Sequence, residues 1–131
     1  SAASDDVLTH IAAICRKELR ASDVFGRLGG EEFGILMPAC SCEQGTEIAT
    51  RIRRRMAATP ITLKSGATVA VSASFGLAST TISGFDLHQL LSIADAAQYR
   101  AKRAGRNQLS VGNNDDAPTG KTSTVDATAC A

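Results

Sequence analysis

The stretch Arg27-Leu28-Gly29-Gly30-Glu31-Glu32-Phe33-Gly34-Ile35-Leu36-Met37 constrains the fold more than any other part of the chain. Apolar, strand-prone residues flank a short polar centre: Val24, Phe25 and Leu28 lead in, and Phe33, Ile35, Leu36 and Met37 lead out. Gly29-Gly30 is a hairpin signal, because glycine reaches the positive φ of a two-residue turn without steric cost. Glycine also lets a ligand approach the backbone closely. Glu31 and Glu32 follow at once, and the two-residue period of a strand sends their side chains to opposite faces. One carboxylate could then hold a metal while the other faces elsewhere. Oxygen donors beside bare N–H groups suit Mg²⁺ and a polyphosphate. An ordinary solvated hairpin tip accounts for the same residue types.

At 131 residues and 44% apolar content, the chain has enough for one compact domain and little more. Its net charge of +1 sets up no global field for nucleic acid or membrane, so any anion site must be local. No apolar run reaches the roughly 18 residues of a membrane span, and no signal-peptide pattern is visible. The expectation is a cytoplasmic domain, with any membrane anchor of the parent protein lying upstream. Cys15, Cys40, Cys42 and Cys130 do not read as a zinc set: Cys40-Ser41-Cys42 has the wrong spacing, and His10 and His88 are remote in sequence. Four Phe, one Tyr and no Trp provide little for an RNA-stacking sheet, so no nucleic-acid partner is expected.

Along the chain, Val7, Leu8, Ile11, Ala12, Cys15 and Leu19 recur at helical spacing, with Ser4 or Asp5 as the cap and Arg16, Lys17 and Arg20 near the end. Strands are predicted over 23–28 and 33–37, with Pro38 closing the second. A helix follows over about 42–57, with Ile48, Ala49, Ile52 and Met56 as its apolar stripe; Arg53 to Arg55 read as a solvated face. Residues 61–63 and 68–75 alternate as strands around the turn Lys64-Ser65-Gly66, and Ser79 to Gly84 read as a loop. Asp86 to Ala104 is the best helix, ended by Gly105, and a short strand covers 108–111. From Gly112 onward the composition offers too little apolar surface to offset ordering, which predicts a domain over 1–111 and a disordered tail over 112–131. The order αββαββαβ gives an α+β class, helices layered on a mostly antiparallel sheet.

Gly29-Gly30-Glu31-Glu32-Phe33 resembles the signature of the GGDEF family of diguanylate cyclases in its Glu-for-Asp (GGEEF) form. Further matches stand at the family's distances: Arg20-Ala21-Ser22-Asp23, Ser72 to Ala78, Ala94-Asp95-Ala96-Ala97-Gln98-Tyr99-Arg100-Ala101-Lys102, and Gly105-Arg106-Asn107. The resemblance covers about residues 1–111. It implies a fold like the nucleotidyl cyclase and polymerase palm, with a ferredoxin-like core. It also implies a leading strand and helix before Ser1, that strand lying centrally in the sheet. The implied activity joins two GTP into cyclic di-GMP with Mg²⁺ or Mn²⁺, in a homodimer driven by an N-terminal sensory domain.

Carried over residue by residue, the resemblance makes Glu31 the metal ligand and acceptor of the attacking hydroxyl's proton, and Glu32 a second acid needed for activity. Gly29 and Gly30 let the phosphates lie against the backbone. Lys102 and Arg106 would grip the terminal phosphates, although basic residues at a helix C-terminus are ordinary in their own right. Asp5 aligns with the acid that bonds the guanine edge, a role compatible with capping. Arg20, Asp23 and Arg51 match the RxxD inhibitory site that binds product. A helix-end Arg and a strand-start Asp would explain the first two without a ligand. Three departures stand beside these matches. The family's other metal carboxylate and its guanine-binding Asn would precede Ser1, Ser4 replaces a Gly, and Gln98 replaces a Leu. This chain by itself is therefore expected to turn over weakly. The alternative is a cyclic di-GMP receptor module acting through the RxxD site.

Overall fold

The computed structural model describes residues 2–29, 32–80, 86–113 and 126–130. Helix α1 runs from Ala2 to Glu18, followed by the strands β1 (Val24–Gly29) and β2 (Glu32–Met37) and the helix α2 (Cys42–Ala58). The short strands β3 (Ile61–Thr62) and β4 (Thr68–Val69) come next, then β5 (Phe75–Ser79), α3 (Leu87–Arg103), β6 (Leu109–Val111) and β7 (Asp126–Cys130). Five strands form one sheet in the order β1-β2-β7-β5-β6, and β3 and β4 pair separately.

The hairpin forms as its sequence dictates. Val24 faces Leu36 and Arg27 faces Phe33 in antiparallel register, with an irregularity between Arg27 and Gly29. β2 alternates strictly: Phe33, Ile35 and Met37 are buried, while Glu32, Gly34 and Leu36 are half-buried. The odd-numbered set joins Ile11, Ile14 and Cys15 of α1 and Ile48, Ile52 and Met56 of α2 in the larger core. Leu36 packs on the other face, against Ala78, Leu90, Ile93 and Ala94. The sheet therefore lies between α1 and α2 on one side and α3 on the other. Gly76 makes the second packing possible: a Cβ there would run into the Ala94 carbonyl and the Gln98 backbone.

Cap chemistry defines the later helices. Ser41 and Gln44 close a reciprocal capping box at the start of α2. Asp86 accepts from the Gln89 N–H at the start of α3. Gly105, at φ +125°, takes the chain out of α3 through a conformation open mainly to glycine.

Several expectations are corrected. α1 begins at Ala2, so Ser4 and Asp5 lie within the helix and neither caps it; Asp5 still sits in the first turn, where the helix dipole favours a carboxylate. The predicted strand 68–75 is two strands, because β4 finds its partner in β3 while β5 pairs with β6 and β7. Ser79 closes β5 and is buried instead of opening a loop. Part of the expected disordered tail is a strand: Asp126–Cys130 pairs in parallel with both β2 and β5. Composition missed it because backbone pairing along two strand edges, which composition does not report, is what places it. With β7 inserted, the antiparallel pairs are β1–β2 and β3–β4, while the three remaining pairs are parallel. No helix among the described residues is long and apolar enough to cross a membrane.

Candidate active site and anion site

The hairpin positions the first cluster. Glu32 begins β2 on the even-numbered face, the one that packs against α3. Burial raises the Glu32 carboxyl above its ordinary value, Asp95 raises it further, and Lys102 opposes both. Asp95 and Lys102 belong to α3, seven residues apart, which is two helical turns and one face. Glu32 thus shares one electrostatic neighbourhood, at the turn end of the hairpin, with residues 63 and 70 positions further along the chain. Gly29, beside it, is exposed, and the space where its Cβ would lie is open. Gly30 and Glu31 lie outside the described residues.

Arg106 is exposed past the end of α3 and has φ +64°; Asn107 follows at +46°. Asparagine adopts the left-handed region readily, whereas Arg106 stores backbone strain of about 1–3 kcal/mol there. Part of it is offset by Arg53, whose Nη1 lies 3.1 Å from the Asn107 Oδ1 and 3.4 Å from its carbonyl. Arg53 is therefore tied down and does not belong to a solvated face. Asp5 is exposed on the first turn of α1, and its neighbour Asp6 accepts from the Lys64 N–H at 3.1 Å.

Magnesium is a hard cation that favours near-octahedral oxygen coordination. Among the described residues no three His, Cys, Asp or Glu side chains converge on one point. Glu32 and Asp95 repel one another, as two acids near a cation site would, but they do not complete a ligand set. The described residues do not fit the ion by themselves.

The second cluster lies at the far end of α1. Arg20 donates Nη2 to Asp23 Oδ1 at 2.8 Å and Nε to both carboxylate oxygens, and its backbone N–H reaches Oδ2 at 2.8 Å. The Asp23 side chain is fully buried and that of Arg20 is 40% exposed. Arg20 also donates to the Pro38 carbonyl at 2.7 Å, tying this turn to the end of β2. Arg51 donates to Glu18, which also takes Arg55. Glu18, Arg55 and Asp95 have no place among the sequence-predicted site residues. Asp95 stood in the sequence only within the motif that ends at Lys102, and Arg55 only within the Arg53 to Arg55 face.

Helices on both faces of a sheet, with an acid-bearing hairpin set against a basic helix end, define an α+β palm-like domain. Known proteins place it further. The isolated GGDEF domain of TpbB (YfiN) from Pseudomonas aeruginosa superposes with a TM-score of 0.75 at 35% identity, over 88% of this chain and 67% of that one. Among curated proteins, Diguanylate cyclase DgcP of Pseudomonas aeruginosa is 43% identical over 110 residues, 83% of this chain. Diguanylate cyclase TpbB of the same species is 42% identical over 106 residues, 80% of this chain. The chain spans only 16% of DgcP and 24% of TpbB. Residues 1–108 match the family described as diguanylate cyclase, GGDEF domain. The chain belongs to the GGDEF family.

Proposed function

We propose that this chain is the cyclase domain of a longer protein that condenses two GTP into cyclic di-GMP. Each 3′-hydroxyl attacks the α-phosphate of the other nucleotide, forming two phosphodiester bonds and expelling two pyrophosphates. The observation that carries this reading is Glu32 at the start of β2, on the face packed against α3 and within electrostatic reach of Lys102, beside the open backbone at Gly29. An acid and an ammonium at a glycine turn suit a hydroxyl that must lose a proton and phosphates that carry negative charge. Lys102 and Arg106 hold the terminal phosphates in this reading, Gly29 and Gly30 admit them, Asp5 contacts guanine, and Glu31 serves as metal ligand and base. Mg²⁺ or Mn²⁺, a homodimer presenting two GTP, and an N-terminal sensory domain belong to the same proposal.

The test is conversion of GTP by the parent protein, wild type against Glu31→Gln and Glu32→Gln, both close to isosteric. Loss of turnover in both variants with an unchanged circular dichroism spectrum supports the assignment. Full activity in either variant removes that residue from the mechanism.

A second reading, a cyclic di-GMP-binding module with little turnover, is favoured by the Arg20–Asp23 pair, with Arg51 held by Glu18 rather than by that pair. A guanidinium fork matches phosphate or the Hoogsteen edge of guanine, and a carboxylate accepts from guanine N–H groups. The two readings are compatible, since the second site would let product restrain the first.

A further inference from the structure

Arg51 and Arg55 stand one turn apart on α2, and both reach across to Glu18, the last residue of α1. Arg51 Nε lies 3.0 Å from Glu18 Oε2; Arg55 Nε and Nη2 lie 2.9 and 2.7 Å from Oε1. Each carboxylate oxygen therefore holds one guanidinium. The Glu18 side chain is only 12% exposed, while those of Arg51 and Arg55 are 51% and 47% exposed. The Arg51 hydrogen bond, with help from Arg55, holds the Glu18 carboxyl below its ordinary range despite partial burial.

A single partly buried anion thus underlies two half-exposed cations, and the cluster keeps a surplus positive charge at the surface. Arg51 uses only its Nε edge on Glu18, so both of its Nη groups have no bond to a described residue; the same holds for Nη1 of Arg55. Arginine's free fork matches phosphate oxygens in pairs. Fixing the guanidiniums beforehand removes rotamer entropy that a ligand would otherwise have to overcome. Glu18 lies two residues from Arg20, which places this clamp next to the Arg20–Asp23 turn.

We propose that Glu18 is a positioning residue that sets Arg51 and Arg55 as a paired clamp for a phosphodiester of a cyclic dinucleotide, with Arg55 a binding residue of that site. The proposal rests on the product-binding reading above and extends it by two residues.

Calorimetric titration of the 131-residue chain with cyclic di-GMP, at fixed salt, compares wild type, Arg20→Ala, Glu18→Gln and Arg55→Gln. Glu18→Gln should bind three- to tenfold more weakly and Arg55→Gln about tenfold more weakly, as expected for lost charge-assisted bonds. Nitrogen-15 NMR of the wild-type arginine Nε–H groups provides a readout that needs no variant. The Arg51 and Arg55 signals should be protected in the free protein and stay protected at saturation, because Glu18 keeps its hold while the forks take phosphate. If Arg20→Ala loses binding but Glu18→Gln and Arg55→Gln match wild type, the product site stands and this extension is wrong. Tighter binding by Glu18→Gln, or loss of Nε–H protection on saturation, makes Glu18 a displaced competitor and also overturns it. No binding by wild type removes the product-site reading, and the clamp with it.

Discussion

Arg20 encloses Asp23 from two sides, with its backbone N–H on Oδ2 and its guanidinium on Oδ1, each at 2.8 Å. The RxxD turn is thus a closed ion pair before any ligand arrives. On the product-binding proposal, a bound nucleotide would have to share or open this pair, which already ties the turn together. We expect cyclic di-GMP binding to be lost in Arg20→Ala, weakened in Asp23→Asn and unchanged in Lys102→Ala. Each lost charge-assisted bond should cost about 1.5–3 kcal/mol, roughly ten- to a hundredfold in affinity. Thermal denaturation should show Asp23→Asn less stable by about 1–3 kcal/mol, because a buried partner of Arg20 loses its charge. Wild-type affinity in Arg20→Ala would reduce the turn to a structural cap on α1.

The Glu32 carboxyl should titrate above its ordinary value of 4.5, since burial and Asp95 outweigh Lys102. A carboxyl with a raised folded value favours the protonated folded state. Its contribution to stability is therefore present at low pH and declines as pH rises from about 4.5 through the folded value. Carbon-13 NMR of the Glu32 carboxyl reads the shift directly. Asp95→Asn should move the midpoint down, and Lys102→Met should move it up. A midpoint indifferent to both variants would separate Glu32 from α3.

Gly76 and Gln98 face each other between β5 and α3, and substitutions at the two should act in opposite directions. Gly76→Ala should destabilise the fold by about 1–3 kcal/mol, because its Cβ meets backbone atoms that cannot swing aside. Gln98 is fully buried, and neither its Oε1 nor its Nε2 finds a partner among the described residues. Gln98→Leu removes that unpaired amide at similar volume and should raise stability by about 1–3 kcal/mol. Chemical denaturation of the two variants decides both expectations.

Truncation after Asn113 removes β7 and leaves β2 and β5 with unpaired edges in the middle of the sheet. Exposed edges of this kind pair with other chains. The truncated chain should melt at a lower temperature and self-associate, as measured by calorimetry and light scattering. An unchanged melting temperature in a monomeric species would mean that β7 adds nothing to the sheet.

The sequence by itself determined what consecutive residues decide. The Gly29-Gly30 turn between apolar runs placed the hairpin. The spacing of Ile48, Ile52 and Met56 placed the buried stripe of α2, and Gly105 placed the end of α3. These signals are local because turn angles and helical faces depend on neighbours a few positions away. The family motif extended this legibility to the site residues as a set, without stating which of them meet. Tertiary structure alone set Glu32 against Asp95 and Lys102, and joined Glu18 to Arg51 and Arg55 across two helices. It also drew Asp126–Cys130, part of the predicted tail, into the centre of the sheet. Charge pairing and strand pairing depend on which groups and edges the rest of the fold leaves open, and a residue's own neighbours in sequence do not carry that information.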